Sequence, residues 1–230
     1  MREKTEHSKS VIKRIVSGLL AAAVVVFVSA ISAPQLLAFP YRAKIGATTV
    51  YAESPIGAQD MAKVLNRSDE LLATTGLFHA PVGTRLFLTN GGWRWQLLAL
   101  NNHMAFALTR PTSNVVADAA IFNRADPARD RIFNGVDDST RSLSSIIAHE
   151  RTHMLVQRYF GIPRAVSFEQ WKSEGYADFV AQESSLTESE VVAFKKAGVD
   201  HWAIPYFEGH QRVAAIMKQN GNSVDRLFLE

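Results

Sequence analysis

Nineteen residues, Ile15 to Ala33, form an almost unbroken apolar run, and no charged residue occurs from Ile15 to Tyr41. In lipid a backbone must satisfy its own hydrogen bonds, so such a run is confined to a helix, and about 20 residues suffice to span a bilayer. A typical signal-peptide core is shorter, about 7 to 15 residues. The length therefore favours an uncleaved N-terminal anchor. The competing expectation is a removable signal peptide, because Val28-Ser29-Ala30 and Ile31-Ser32-Ala33 place small residues near a cut, although Pro34 opposes cleavage after the second. Met1 to Arg14 holds five basic and two acidic residues. A basic flank of this kind keeps the N-terminus in the cytoplasm and sends the remainder across the membrane, to an extracytoplasmic location.

That flank also explains the formal charge of +3, because from Ile15 onward 20 basic residues balance 20 acidic ones. Net charge thus implies no nucleic-acid partner. With no cysteine in the chain, disulfides and thiolate metal sites are excluded. The expected organisation is a basic cytoplasmic segment (1–14), a transmembrane anchor or signal peptide (15–33), a Pro-containing linker (34–44) and one folded domain (45–230).

The first half of that domain reads as mixed α and β. Ala47 to Ala52 and Thr84 to Thr89 have strand composition, as do Met104 to Thr109 and Val115 to Phe122. Gly57 to Ala73 has an apolar helical face of Met61, Val64, Leu65, Leu71 and Leu72. Trp93 to Leu100 fits a short helix, and Ala125 to Asp138 is polar and turn-rich. The second half is mainly helical. A helix capped near Ser142 should run to Phe160, where Gly161 and Pro163 stop it. Helices over 171–184, from the capping box Thr187-Glu188-Ser189-Glu190 to Gly198, and over 205–220 follow, with Asn222 capping a last turn. The fold class expected is α+β, a mixed sheet with helices followed by a mainly helical half, behind the N-terminal helix.

Within the first of these later helices lies His149-Glu150-Arg151-Thr152-His153, the pattern His-Glu-x-x-His. On a helix, residues four apart lie one above the other, about 6 Å along the axis at roughly 1.5 Å per residue. His149 and His153 can therefore grip one ion, and Glu150 can reach a water on that ion as general base. A catalytic zinc ion takes three protein ligands and leaves a position for water. The metzincin extension would need Gly at 156 and His at 159, where this chain has Val156 and Tyr159. The other branch of this motif takes its third ligand from a glutamate on a following helix, and the candidate here is Glu174, in Trp171-Lys172-Ser173-Glu174-Gly175-Tyr176-Ala177-Asp178, with small Gly175 and Ala177 letting its helix approach the first. Asp178, one turn on, faces the same way and can accept the free ring N–H of a ligand histidine.

From about Ser142 to Phe228 the chain resembles the gluzincins, metallopeptidases with His-Glu-x-x-His and a downstream glutamate, such as thermolysin and the alanyl-type aminopeptidases. Twenty residues separate His153 from Glu174, close to the aminopeptidase spacing, and Glu174-Gly175-Tyr176-Ala177 resembles Glu-Gly-x-Ala. Thermolysin-like proteins also place an aspartate four after the glutamate, here Asp178. Ile204-Pro205-Tyr206-Phe207-Glu208-Gly209 is similar to the aminopeptidase segment Pro-Tyr-Glu-Lys-Gly, whose tyrosine stabilises the oxyanion. The resemblance gives Tyr206 that role, with His201 and His210 flanking it as other donors. The aminopeptidase segment Gly-x-Met-Glu-Asn has no counterpart between Met104 and Arg141, which favours an endopeptidase. The resemblance further implies a zincin-like fold, Zn2+ as cofactor, and an edge strand, expected over 115–125, that pairs with a peptide or protein substrate. The rival expectation is a non-catalytic zincin-fold binding or assembly module of the cell envelope. Oligomeric state is not readable.

Overall fold

The computed structural model describes residues 2–80, 83–110, 119–133 and 140–230, and the chain divides into two compact units, Met1–Phe39 and Pro40–Glu230. The first unit is a helix α1 (Arg2–Ser32) followed by a 3-10 turn over Pro34–Leu37. Its stretch Lys13–Ser32 is long and apolar enough to cross a membrane. Leu19, Val25 and Phe27 are all exposed on it, the pattern of a helix apolar on every side.

The second unit is mixed α/β. Its main sheet has five strands in the order β1 (Tyr41–Ile45), β2 (Thr48–Ala52), β3 (Arg85–Leu88), β5 (Ala119–Phe122) and β4 (Ala107–Arg110). The pairs β2/β3 and β3/β5 are parallel, while the two outer pairs are antiparallel. Strand β1 begins inside the stretch expected to be linker, because Tyr41 to Ile45 pairs with β2 through a turn at Gly46, whose φ is +57°. The parallel pair β2/β3 requires a crossover, provided by α2 (Ala58–Leu72), whose apolar stripe Met61, Val64 and Leu65 packs on Val50, Leu86 and Leu88. Asp69, off that stripe, pairs with Arg151.

Helix α3 (Trp93–Ala99) follows β3, as its composition suggests. The polar stretch after β5 is more ordered than its turn-rich sequence implied. There β6 (Ala125–Asp126), β7 (Arg131–Phe133) and β8 (Thr140–Arg141) make a small antiparallel sheet, around Ile132, which is fully buried. The expected strand start at 115–118 and the last part of the turn-rich stretch, 134–138, lie outside the described residues.

Helix α4 (Leu143–Phe160) runs through the middle of the domain, so 12 of its residues are buried. Its first turn is held by three side chains. Ser142 accepts from the Ser145 N–H at 3.2 Å, Asp130 from the Ser144 N–H at 2.7 Å, and Glu183 from the Ser142 N–H at 2.9 Å. Two carboxylates at this end also suit the positive pole of the helix dipole. Gly161, with φ of +82°, ends α4, and Pro163 then starts the short α5 (Ile162–Ala165) where only a break was expected.

Helices α6 (Gln170–Ala181), α7 (Glu188–Lys196), α8 (Ile204–Gln219) and α9 (Val224–Leu229) complete the chain. The capping box at Thr187 is formed in both directions, whereas α9 is capped by Ser223 rather than Asn222. Helices α6 and α8 cross at close range. A Cβ added at Gly175 would sit 2.5 Å from the carbonyl of Gly209, so neither backbone has room for a side chain. Gly175 therefore serves the approach to α8 rather than to α4. We expect Gly175→Ala to destabilise the protein by roughly 1–3 kcal/mol through overpacking. Gly76→Ala, where an added Cβ meets nothing within 4 Å, should stay within about 0.5 kcal/mol. Urea denaturation of the two full-length variants measures both.

Candidate metal centre

The functional face of α4 is set by helical spacing. The Nε2 atoms of His149 and His153 lie 3.1 Å apart, and α6 carries Glu174 over them, its Oε2 at 3.3 Å from His149 Nε2 and 3.6 Å from His153 Nε2. One donor atom from each of the three residues falls within 4.8 Å of the others. Two imidazoles and one carboxylate, partly shielded from water, form a donor set that could hold a metal ion, and it suits a divalent transition ion.

The ring of His149 is fixed from behind. Its Nδ1 donates to Asp178 Oδ1 at 2.8 Å, which leaves Nε2 for the cleft. The same Oδ1 accepts from Arg141 Nη1 at 3.0 Å. Both partners are almost fully buried, at 1% and 5% side-chain exposure. Arg141 Nη2 in turn donates to the Glu183 carbonyl at 2.7 Å and to Ser145 Oγ at 3.3 Å. Burial would raise the Asp178 carboxyl, but the charge of Arg141 and the hydrogen bond from His149 outweigh it and hold it below the usual range. Burial alone would likewise depress His149, but hydrogen bonds to Asp178 and Glu174 lift it to about 10. Glu174 stays ionised well below the ordinary carboxyl range, since the two histidines outweigh its burial.

No family model, curated protein or solved structure matches this chain.

What the centre can do rests on its own atoms. It opens on a cleft of about 300 Å³ lined by His149, Glu150, His153, Glu174 and Tyr206, with Phe106 to Thr109 along one wall and Trp202 among the lining residues. Glu150 is buried beside its neighbour His149. Burial and, after it, the charge of Glu174 push the Tyr206 phenol up to about 12, so it remains a hydrogen-bond donor at neutral pH. All six residues singled out by spacing and motif are thus brought to one locality, five lining the cleft and Asp178 behind His149. His201 and His210 are not in the cleft lining. His201 stacks on Phe194 at 4.7 Å, and His210 borders a different cavity with Tyr176 and Phe179.

Two contributors escaped the sequence. Arg141 meets Asp178 across 37 positions, and Thr109 meets Glu150 across 41, separations at which no local pattern signals a contact. The strand along the cleft is also not the one expected, because β5 is interior and β4 is the sheet's end strand.

Asp178→Asn should weaken binding of a divalent metal ion by about 10- to 100-fold, the usual cost of losing a partner that orients a ligand histidine. It should also lower thermal stability, because Arg141 is left buried without its counter-charge. Titration of the full-length protein against a chromophoric chelator, with a melting curve, checks both.

Proposed function

We propose that this chain is a membrane-anchored, zinc-dependent peptidase of the gluzincin type, favouring internal peptide bonds, with its catalytic domain on the extracytoplasmic side. The observation that carries the reading is the convergence of His149, His153 and Glu174, with Glu150 on the same cleft. A purely structural zinc site closes its fourth position with another protein ligand and has no use for an adjacent base. A zincin-like arrangement is supported by the mixed sheet whose antiparallel end strand β4 packs along the metal-site helix α4. Residues Lys13–Ser32 support the anchor.

Bound at these three donors, zinc supplies an acidified water, with a pKa lowered from about 15.7 towards about 7, and polarises a carbonyl group. Glu150 removes the proton from the attacking water as its oxygen bonds to the scissile carbon. The same carboxyl then delivers that proton to the amide nitrogen as the C–N bond breaks, and the second water proton follows from the new carboxylic acid to the amine, so the products are a carboxylate and an ammonium group. Tyr206 donates its phenolic hydrogen to the oxyanion that develops on the carbonyl oxygen, a contribution of a few kcal/mol for a donor aimed at forming charge. Asp178 keeps the His149 ring turned so that Nε2 faces the cleft. Among the described residues no strand pairs with the outer edge of β4, and that edge offers backbone groups to an extended peptide, which is recognition by strand addition.

The full-length protein, purified in detergent and loaded with zinc, should cleave members of a mixed peptide library, and a chelator should stop it. Glu150→Gln should retain zinc yet lose turnover by roughly 10²- to 10⁴-fold. Unchanged turnover in that variant would overturn the mechanism. Stoichiometric zinc without any cleavage by the wild type would point instead to a non-catalytic assembly module.

A further inference from the structure

The carboxylate of Glu150 does not stand free in the cleft. Thr109, on β4, donates its hydroxyl to Glu150 Oε2 and also lies 3.1 Å from the backbone oxygen of Glu150. Among the described residues Oε1 receives no hydrogen bond, so the two oxygens of the carboxylate are distinguished: Oε2 is held and Oε1 is left to accept a proton. A hydroxyl has one hydrogen, and the charged carboxylate is the stronger acceptor. Burial matters too. Glu150 is only 6% exposed, so water does little to fix the rotamer, and a carboxylate on a three-bond stem needs a protein donor to hold one orientation.

The origin of the donor adds a second point. Alternation along β4 directs Ala107 and Thr109 to one face of the sheet, and Ala107 packs in the core that includes Ile146 and Ile147 of α4. The strand that stands at the end of the sheet, with no second partner among the described residues, is therefore the strand that grips the base.

We infer that Thr109 is the positioning residue of the general base, coupling the substrate-pairing edge of β4 to the orientation of Glu150. The inference rests on the peptidase reading. It differs from an anchoring role for Thr109 in what its loss changes. Backbone pairing of a peptide with β4 does not use the threonine hydroxyl, and neither does metal binding by His149, His153 and Glu174. Loss of the hydroxyl alone misplaces Oε1, and misplacement of a reacting group by about an ångström costs roughly 10²-fold in rate.

The test uses the zinc-loaded full-length protein and one internally quenched peptide taken from the library members that the wild type cleaves. Thr109→Val, which keeps shape and β-branching, should lower kcat by about 10- to 100-fold while KM and zinc content stay within about twofold. Thr109→Ser, which keeps the hydroxyl, should restore most of the lost kcat. A Thr109→Val enzyme with wild-type kcat overturns the inference alone, as does a loss of activity that follows loss of zinc or of the folded state in the melting curve, or one that Thr109→Ser shares in full. A wild type that cleaves nothing removes the inference together with the peptidase reading beneath it.

Discussion

One buried carboxylate ties the domain together at its centre. Asp178 Oδ1 receives both the guanidinium of Arg141, which precedes α4, and the Nδ1–H of His149, which lies within α4. Because Asp178 sits on α6, a single atom sets the position of α6 against one point of α4 and against Arg141 on β8, just before it. A buried charge is costly unless paired and hydrogen-bonded, so this arrangement tolerates little sliding. The candidate ligand Glu174 is one helical turn before Asp178 and inherits its placement from that lock. The N-terminal turn of α4 is fixed by the same neighbourhood, since Glu183, just past the end of α6, accepts from the backbone and hydroxyl of Ser142.

Around that lock lie two of the domain's apolar cores. One lies between the sheet, α2 and the first part of α4, with Val50, Leu86, Phe122, Ile146 and Ile147. The other gathers α6, α8 and α9 around Tyr176, Val180, Val213 and Phe228. Helix α4 contributes to both, with Ile147 in the first and Ala148 and Val156 in the second. A helix buried on so many sides cannot present a wide polar face, and its buried polar residues each meet a defined partner. Arg151 meets Asp69, Thr152 bonds the Ala148 carbonyl at 2.8 Å, and Glu150 meets Thr109.

The sequence made legible whatever depends on short-range periodicity. The i, i+4 spacing of His149 and His153, the Ser142 cap and the Thr187–Glu190 box are properties of one helix turn, and the structure forms all of them. The Glu174–Asp178 spacing likewise puts both carboxylates toward α4. Strand order was not legible, because nothing in the composition of 107–110 or 119–122 says which becomes the end of the sheet. Nor was the role of Gly175, which a reading of one helix assigns to the nearest motif although it opposes Gly209 on α8. The three short strands β6 to β8 were hidden because they hold few apolar residues, with Ile132 alone marking the inward side of β7.

The bare crossing of α6 on α8 has a consequence for how the centre fails. Gly175 is the immediate neighbour of Glu174, and its backbone rests on that of Gly209 with no intervening side chain. That contact acts as a datum from which the carboxylate's reach is measured. A methyl group placed on either glycine lifts α6 away from α8 and turns Glu174 with it. In the proposed metal centre the lesion would register as a defect in ion retention although no donor atom had been altered, so residues of α8 belong to the tolerance of that site as much as its candidate ligands do.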